Sequence, residues 1–274
     1  MRLSRTEAVV NYAVLGFFAI VSLVPIVGVV LTALTPPDQA SASFAIPHAL
    51  DFGNFVQAWN QGRFSRYMLS SVIVTVTTVV ISSVLSILAG FAFARMRFAG
   101  RSVLFSLTLI GMFVPLEAYI VPLYFEMRDL GLIDSYAALV LPQVAQSVAF
   151  GVFWMRSFFA SVPSSLIEAS RLDGAGDLRM LWQILVPVAR PAIITMVMLT
   201  FMWTWNDFLL SLVMITSEQF RTAPLALSFF QSQFTTQYAL LSAAATIVAL
   251  PLIILYAFLQ RYFLRGMLAG AIKE

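Results

Sequence analysis

The chain reads as an all-α integral membrane protein: six transmembrane helices, both termini cytoplasmic, and one transmembrane domain spanning residues 1–274. Three observations lead there. Of the 274 residues, 60% are hydrophobic and only 11% charged, with a mean hydropathy of +0.90, too apolar for a water-soluble globule of this size. Six apolar stretches reach the roughly 20 residues that a helix needs to cross the hydrocarbon core. Finally, with the N terminus inside, only Arg63, Arg66, Arg128 and Arg221 of the 16 basic residues fall outside, the asymmetry that orients membrane proteins.

The six spans are expected at Asn11–Leu34, Met68–Ala94, Ser102–Leu123, Tyr136–Phe158, Ala192–Ile215 and Tyr238–Tyr262. The first, behind Arg2 and Arg5, is longer than the apolar core of a signal peptide and lacks a clear small-residue cleavage site, so it counts as a span. The outer loop from Thr35 to Tyr67 contains Asn54–Trp59, a short amphipathic run suited to the membrane surface. Inner connections are lean except for residues 159–191. There, Ser165 and Glu168 have the spacing of a capping box, which starts a helix at Leu166. Gly174 can supply the left-handed residue that ends it, Asp177 can cap a second helix, and Pro187 is expected to terminate that one. Leu166, Ile167, Leu172, Leu178, Leu181, Trp182, Ile184 and Leu185 give this element more apolar surface than a solvated loop keeps, which calls for a partner.

Several functions are excluded by what the sequence lacks. The pI near 9.4 suggests nucleic acid, but the basic residues are dispersed at span ends rather than gathered on one surface. There is no cysteine, and His48, the only histidine, has no acidic or histidine neighbour at ligand spacing, so no metal site is expected. Gly174-Ala-Gly-Asp177 spells the GxGD of intramembrane aspartyl proteases, which need a second aspartate in an earlier span, and none is present. No phosphate loop occurs, and the single lysine is Lys273. No catalytic residue is expected.

Two ionisable residues lie inside spans, where charge is expensive and function is the default reading. Asp207, near the middle of the fifth span, together with Asn206 could hydrogen-bond the hydroxyls of a polar solute while Trp203 or Trp205 offers a flat apolar face. Interhelical hydrogen bonding is the alternative role for Asn206 and Asp207. Glu117, roughly 24 Å along a straight helix from Arg101, falls in the outer half of the bilayer between Pro115 and Pro122 and could line the same path. A rival reading makes Glu117 and Asp207 the ion or proton sites of a secondary transporter. That class favours paired discontinuous helices and internal symmetry, and the sequence displays neither.

The loop also carries a resemblance. Glu168-Ala169, then Gly174, Ile184 and Pro187, resembles the EAA loop of ABC importer permeases, and the string Glu168-Ala169-Ser170-Arg171-Leu172-Asp173-Gly174 resembles its carbohydrate branch, the maltose-type smaller permease subunit. Ser170 stands where alanine is usual and Val186 where leucine is. Phe64-Ser-Arg-Tyr67, Gly90-Phe-Ala-Phe-Ala-Arg95, Trp205-Asn206-Asp207 and Gly266 to Lys273 are similar to the same pattern, which extends the resemblance over the whole chain. It implies a type I importer permease in a bacterial cytoplasmic (inner) membrane that carries a sugar, polyol or glycoside and binds no cofactor itself. Its implied partners are a second permease, two cytosolic ATPase subunits holding ATP and Mg, and an extracytoplasmic solute-binding protein. By the same resemblance Glu168, Ala169, Ser170, Arg171, Asp173, Gly174, Leu178, Trp182 and Pro187 form the contact with the ATPase.

Overall fold

The computed structural model describes residues 5–41, 47–231 and 236–271. Arg2, Lys273 and Glu274, which entered the orientation and tail expectations, lie outside them. Thirteen α-helices follow one another in the described residues: α1 (Arg5–Ala33), α2 (Gly53–Gln61), α3 (Phe64–Arg95), α4 (Arg101–Phe113), α5 (Leu116–Asp129), α6 (Tyr136–Ser161), α7 (Ser164–Leu172), α8 (Asp177–Met180), α9 (Val186–Val188), α10 (Arg190–Trp205), α11 (Leu209–Met214), α12 (Ala223–Ala226) and α13 (Tyr238–Ala271). A π turn, Leu181–Leu185, joins α8 to α9, and a 3₁₀ turn, Leu227–Phe230, follows α12. Four of these helices are long and apolar enough to cross a membrane, and the count reaches 6 if each of two bent pairs forms one span.

The two bent pairs correct the expected third and fifth spans. Pro115 restricts Val114 to an extended backbone, ψ 114°, so α4 stops and α5 leaves at 101° to it. Glu117 therefore sits in the first turn of α5 rather than 24 Å up a straight helix, in a position where the helix dipole favours an anion. The expected span Ala192–Ile215 ends at Trp205, and its bent partner lies on the other side, Asp177–Val188 meeting Arg190–Trp205 at 79°. Beyond Trp205 the Asn206 side-chain amide donates to Met202 O (2.8 Å) and the Asp207 carboxylate accepts from the Leu210 amide (3.2 Å). Such local side-chain bonds offer the backbone an alternative to the helical ladder.

The chain divides into two compact units. In the first, Met1–Arg66 with Ala226–Pro251, buried Asn54 donates to the carbonyls of Ala33 and Thr35 (3.0 and 2.9 Å), groups the end of α1 leaves without helical partners. This fixes α2 against the end of α1, so the amphipathic run is a real helix with a polar anchor. Asp51 accepts the Gly53 amide at its start.

In the second unit, Tyr67–Leu225 with Leu252–Glu274, α3 presents a row of buried small residues, Ser71, Thr75, Thr78, Ser82 and Ser86, at helical spacing and continued by Gly90. Small residues let membrane helices approach closely. A Cβ on Gly151 of α6 would lie 2.1 Å from Ser86 Oγ and 3.1 Å from Met196 Sδ of α10, and one on Gly90 would lie 2.6 Å from Met155 Cβ. Two apolar clusters flank this seam. Ile120, Leu123, Leu139, Leu210 and Met214 join α5, α6 and α11; Phe91, Met155, Phe159, Ile167 and Leu181 join α3, α6 and the helices of residues 164–188. Near the first cluster Asp134 accepts the amides of Thr216 and Ser217 (3.1 and 2.8 Å). Burial works to raise its pKa, and these amides outweigh it, holding the carboxyl below the usual carboxylate range.

Gly151→Leu should therefore lower the melting temperature of the purified protein in detergent, by the equivalent of about 1–3 kcal/mol for overpacking a closed interface. Gly16→Leu, where no atom lies within 4 Å of an added Cβ, serves as the neutral control.

Candidate functional site

Residues 164–188 form a helical hairpin whose two faces differ. The expected capping box is absent: α7 begins at Ser164, Pro163 holds the extended cap position with ψ 139°, and no side chain caps it. The pyrrolidine ring presets that backbone one residue ahead of Ser165, which falls inside the helix. The end of α7 follows expectation. Ala175 donates to Ser170 O and Gly174 to Arg171 O, both 3.0 Å, and Gly174 is left-handed with φ 75°, which together make a Schellman motif. Open space surrounds Gly174, so its backbone angle and not crowding demands the glycine. Arg171 and Asp177 face each other across the turn at 3.8 Å, an exposed pair.

The second helix also departs from expectation. Asp177 is its first residue and caps nothing, since Gly176 holds the cap position. Pro187 does not end it either. Lacking an amide, Pro187 cannot continue a regular ladder; the chain widens into the π turn Leu181–Leu185, passes through α9 and turns at Ala189.

Ile167, Met180, Leu181 and Leu185 face inward onto Phe91, Met155 and Phe159. Ser170 is buried too, its hydroxyl donating to Ile167 O (2.7 Å), which explains how a hydroxyl fits a position that calls for a small side chain. Arg95, at the end of α3, donates to the carbonyl of Val162 at the hairpin's entrance. The outward side carries Leu172, Leu178 and Trp182, 89%, 66% and 46% exposed, among exposed Glu168, Ala169, Arg171, Asp173 and Gly174. The apolar side chains expected as one surface are thus split between a core and an uncovered face.

A cleft of about 790 Å³ opens between the α4–α5 bend and the interruption that follows Trp205 at the end of α10. Met112, Pro115, Leu116 and Glu117 contribute from the α4–α5 corner, Trp203, Asn206, Asp207 and Phe208 from the end of α10, and Gln143, Gln146, Ser147 and Phe150 from α6. Four of the five expected pathway residues, Glu117, Trp203, Asn206 and Asp207, come together there. Trp205 does not. It is 2% exposed and stacked on Phe201 (5.5 Å, 8° between planes), because two steps along a helix turn a side chain about 200°, away from the face that Trp203 presents. The sequence reading missed Gln143, Gln146 and Ser147, although an i, i+3, i+4 set of polar residues in an apolar 26-residue helix places all three on one face. Asn206 and Asp207 bond locally to backbone at the break, not between helices as their alternative role required.

Residues 82–269, more than half of the chain and including both hairpin and cleft, match the family of binding-protein-dependent transport system inner membrane components. The chain belongs to this family. It is 31% identical over 281 residues to the arabinooligosaccharides transport system permease protein AraQ of Bacillus subtilis strain 168, covering 100% of this chain and 99% of that one. With the diacetylchitobiose uptake system permease protein NgcG of Streptomyces coelicolor it shares 29% identity over 273 residues, 98% of this chain and 89% of the relative. Its fold matches a chain of a bacterial ABC transporter involved in the import of the acidic polysaccharide alginate, with a TM-score of 0.80 and 26% identity over 96% of this chain and 99% of that chain.

The protein is accordingly a multi-pass inner-membrane permease subunit of an ABC importer with the type I fold, and a non-catalytic one. Membership sets aside the ion-coupled secondary transporter. Two discontinuous helices are nonetheless present among the described residues, where the sequence displays none.

Since the left-handed backbone at Gly174 costs a side chain about 1–2 kcal/mol, Gly174→Ala should fold with modestly reduced protection of the amides of 174 and 175 in hydrogen exchange. Gly174→Pro, which deletes the amide donated to Arg171, should leave the 175 amide unprotected while inserting normally.

Proposed function

We propose that this permease is one of two membrane halves of an ATP-driven importer for a sugar or a related polyol or glycoside. The observation that carries the reading is the hairpin, whose inner face is already buried in its own protein while Leu172, Leu178 and Trp182 stand uncovered on the other. Large apolar side chains exposed together on a short, rigidly capped element fit the cleft of a partner. That partner would be a cytosolic ATPase carrying ATP and Mg, with two copies serving this permease and its sister. Glu168, Ala169, Ser170, Arg171, Asp173, Gly174 and Pro187 would shape the hairpin, and Leu178 and Trp182 would supply the buried contact. A relative that handles arabinooligosaccharides, another that handles diacetylchitobiose, and an alginate transporter crystallised with an oligosaccharide-bound periplasmic protein support the solute class and a delivering binding protein.

In this reading, closure of the ATPase dimer pushes on the hairpin, and the inward cluster of Ile167, Leu181 and Leu185 passes the movement to α3, α6 and α10. Glu117, Trp203, Asn206 and Asp207 border the solute path, with Gln143 and Gln146 beside them.

Trp182→Ala should weaken association with the ATPase by about 2 kcal/mol, the loss typical of an interface anchor, while expression and melting temperature hold. ATPase recovered undiminished with that variant in a mild-detergent pull-down refutes the contact face. For orientation, cysteines are introduced singly into a chain that has none. Ser41→Cys should react with an impermeant maleimide in sealed cells, and Asp173→Cys, exposed at the turn of the hairpin, only after lysis.

A further inference from the structure

The described residues lining the cleft include two carboxylates, Glu117 and Asp207, and three amides, Gln143, Gln146 and Asn206, but not one lysine or arginine. The chain as a whole carries a formal charge of +3, so the sign of the cleft runs against that of the molecule. An anion entering it would give up hydration to face fixed negative charge with no cation to replace the lost water, where low dielectric strengthens the repulsion. A sugar hydroxyl meets the opposite situation, donating to the carboxylates and both donating to and accepting from the amides. Trp203, half exposed, adds a flat apolar wall.

Gln143 is an independent sign of a polar ligand. It lines the cleft, is 8% exposed, and its Oε1 accepts no hydrogen bond among the described residues. Buried amides are nearly always paired. A hydroxyl, donor and acceptor at once, would complete the pairing whichever way the amide is turned.

We infer that this cleft admits uncharged, hydroxyl-rich solutes and rejects acidic sugars, with Glu117 and Asp207 as the charge-selective pair and Gln143 as a hydrogen-bonding specificity residue. The inference rests on the importer reading and narrows its substrate. It separates this permease from the alginate transporter of the same fold, whose cargo is an acidic polysaccharide.

The test uses the assembled complex of permeases and ATPases in lipid nanodiscs, without a binding protein, so that only the membrane path discriminates. Equilibrium binding is measured for neutral di- to tetrasaccharides and for the matched oligo-uronates, in which a carboxylate replaces each C6 hydroxymethyl group. Wild type should hold the neutral series at least about tenfold more tightly, a preference worth one decade in the dissociation constant. Glu117→Gln combined with Asp207→Asn, which keeps size and hydrogen-bonding capacity, should shrink the preference to about threefold or less by removing the repulsion. Gln143→Met should weaken neutral binding without lowering the melting temperature, since Oε1 has no internal bond to lose. Uronates bound as tightly as neutral sugars by wild type, a double variant with unchanged preference, or a panel of which no member binds would each overturn the inference. ATP hydrolysis by the same nanodiscs is read separately: hydrolysis with an indiscriminate cleft leaves the importer standing, whereas a complex that purifies without an ATPase removes the importer reading itself.

Discussion

Inside a bilayer a broken helix is tolerated only where the backbone groups released by the break find new partners or line a polar cavity. That constraint shapes this permease. At Val114 and Pro115 one of the residues at the break has no amide to satisfy, and at Asn206 and Asp207 two side chains bond the backbone on either side of the gap. The two breaks face each other across one cleft, and the polar residues of α6 complete its wall.

The hairpin meets the complementary constraint in water. Burying a leucine- or phenylalanine-sized side chain stabilises by about 1.5–3 kcal/mol, and the inward set of Ile167, Met180, Leu181 and Leu185 holds the hairpin to α3 and α6 by several such burials. The Schellman turn at Gly174 and the donation from Arg95 to Val162 then fix its two ends. Leu172, Leu178 and Trp182 stand outside this cluster and remain exposed. Between hairpin and cleft the aromatic rings are contiguous. Trp203 meets Phe150 edge to face at 4.9 Å, Phe150 stacks on Trp154 at 6.0 Å, and the Trp154 indole donates to Ala192 O (2.9 Å). Phe150 and Trp154 also pack against the hairpin's core, so contiguous packing runs from the hairpin to the wall of the cleft.

Much of this was legible because it depends on local chemistry. A glycine that ends an amphipathic helix is readable from neighbours three and four residues away, and Gly174 adopts the left-handed angle expected of it. The capping box was misread because Pro163 presets the helix start one residue earlier, an effect that outweighs the Ser165–Glu168 spacing. Pro187 was misread because a proline near a helix end can be absorbed by a widened turn as well as by termination. The small-residue row on α3 was present in the sequence at i, i+4 spacing and passed unnoticed, since serine and threonine are common in apolar helices and only the close approach of Gly151 and Gly90 shows what they admit.

The sequence by itself determined the class of molecule: apolar stretches of bilayer length, a skewed distribution of arginine, and a loop with too much apolar surface follow from composition and spacing, which need no knowledge of what packs where. Only the tertiary structure decided which of those apolar residues are core and which are free, which polar residues share a cleft, and that Trp205 is not among them. The physical reason is that burial and convergence are properties of pairs of helices. Residues 117, 143 and 207 lie on α5, on α6 and beyond the end of α10, dozens of positions apart, and nothing in their spacing along the chain encodes that their side chains line the same space.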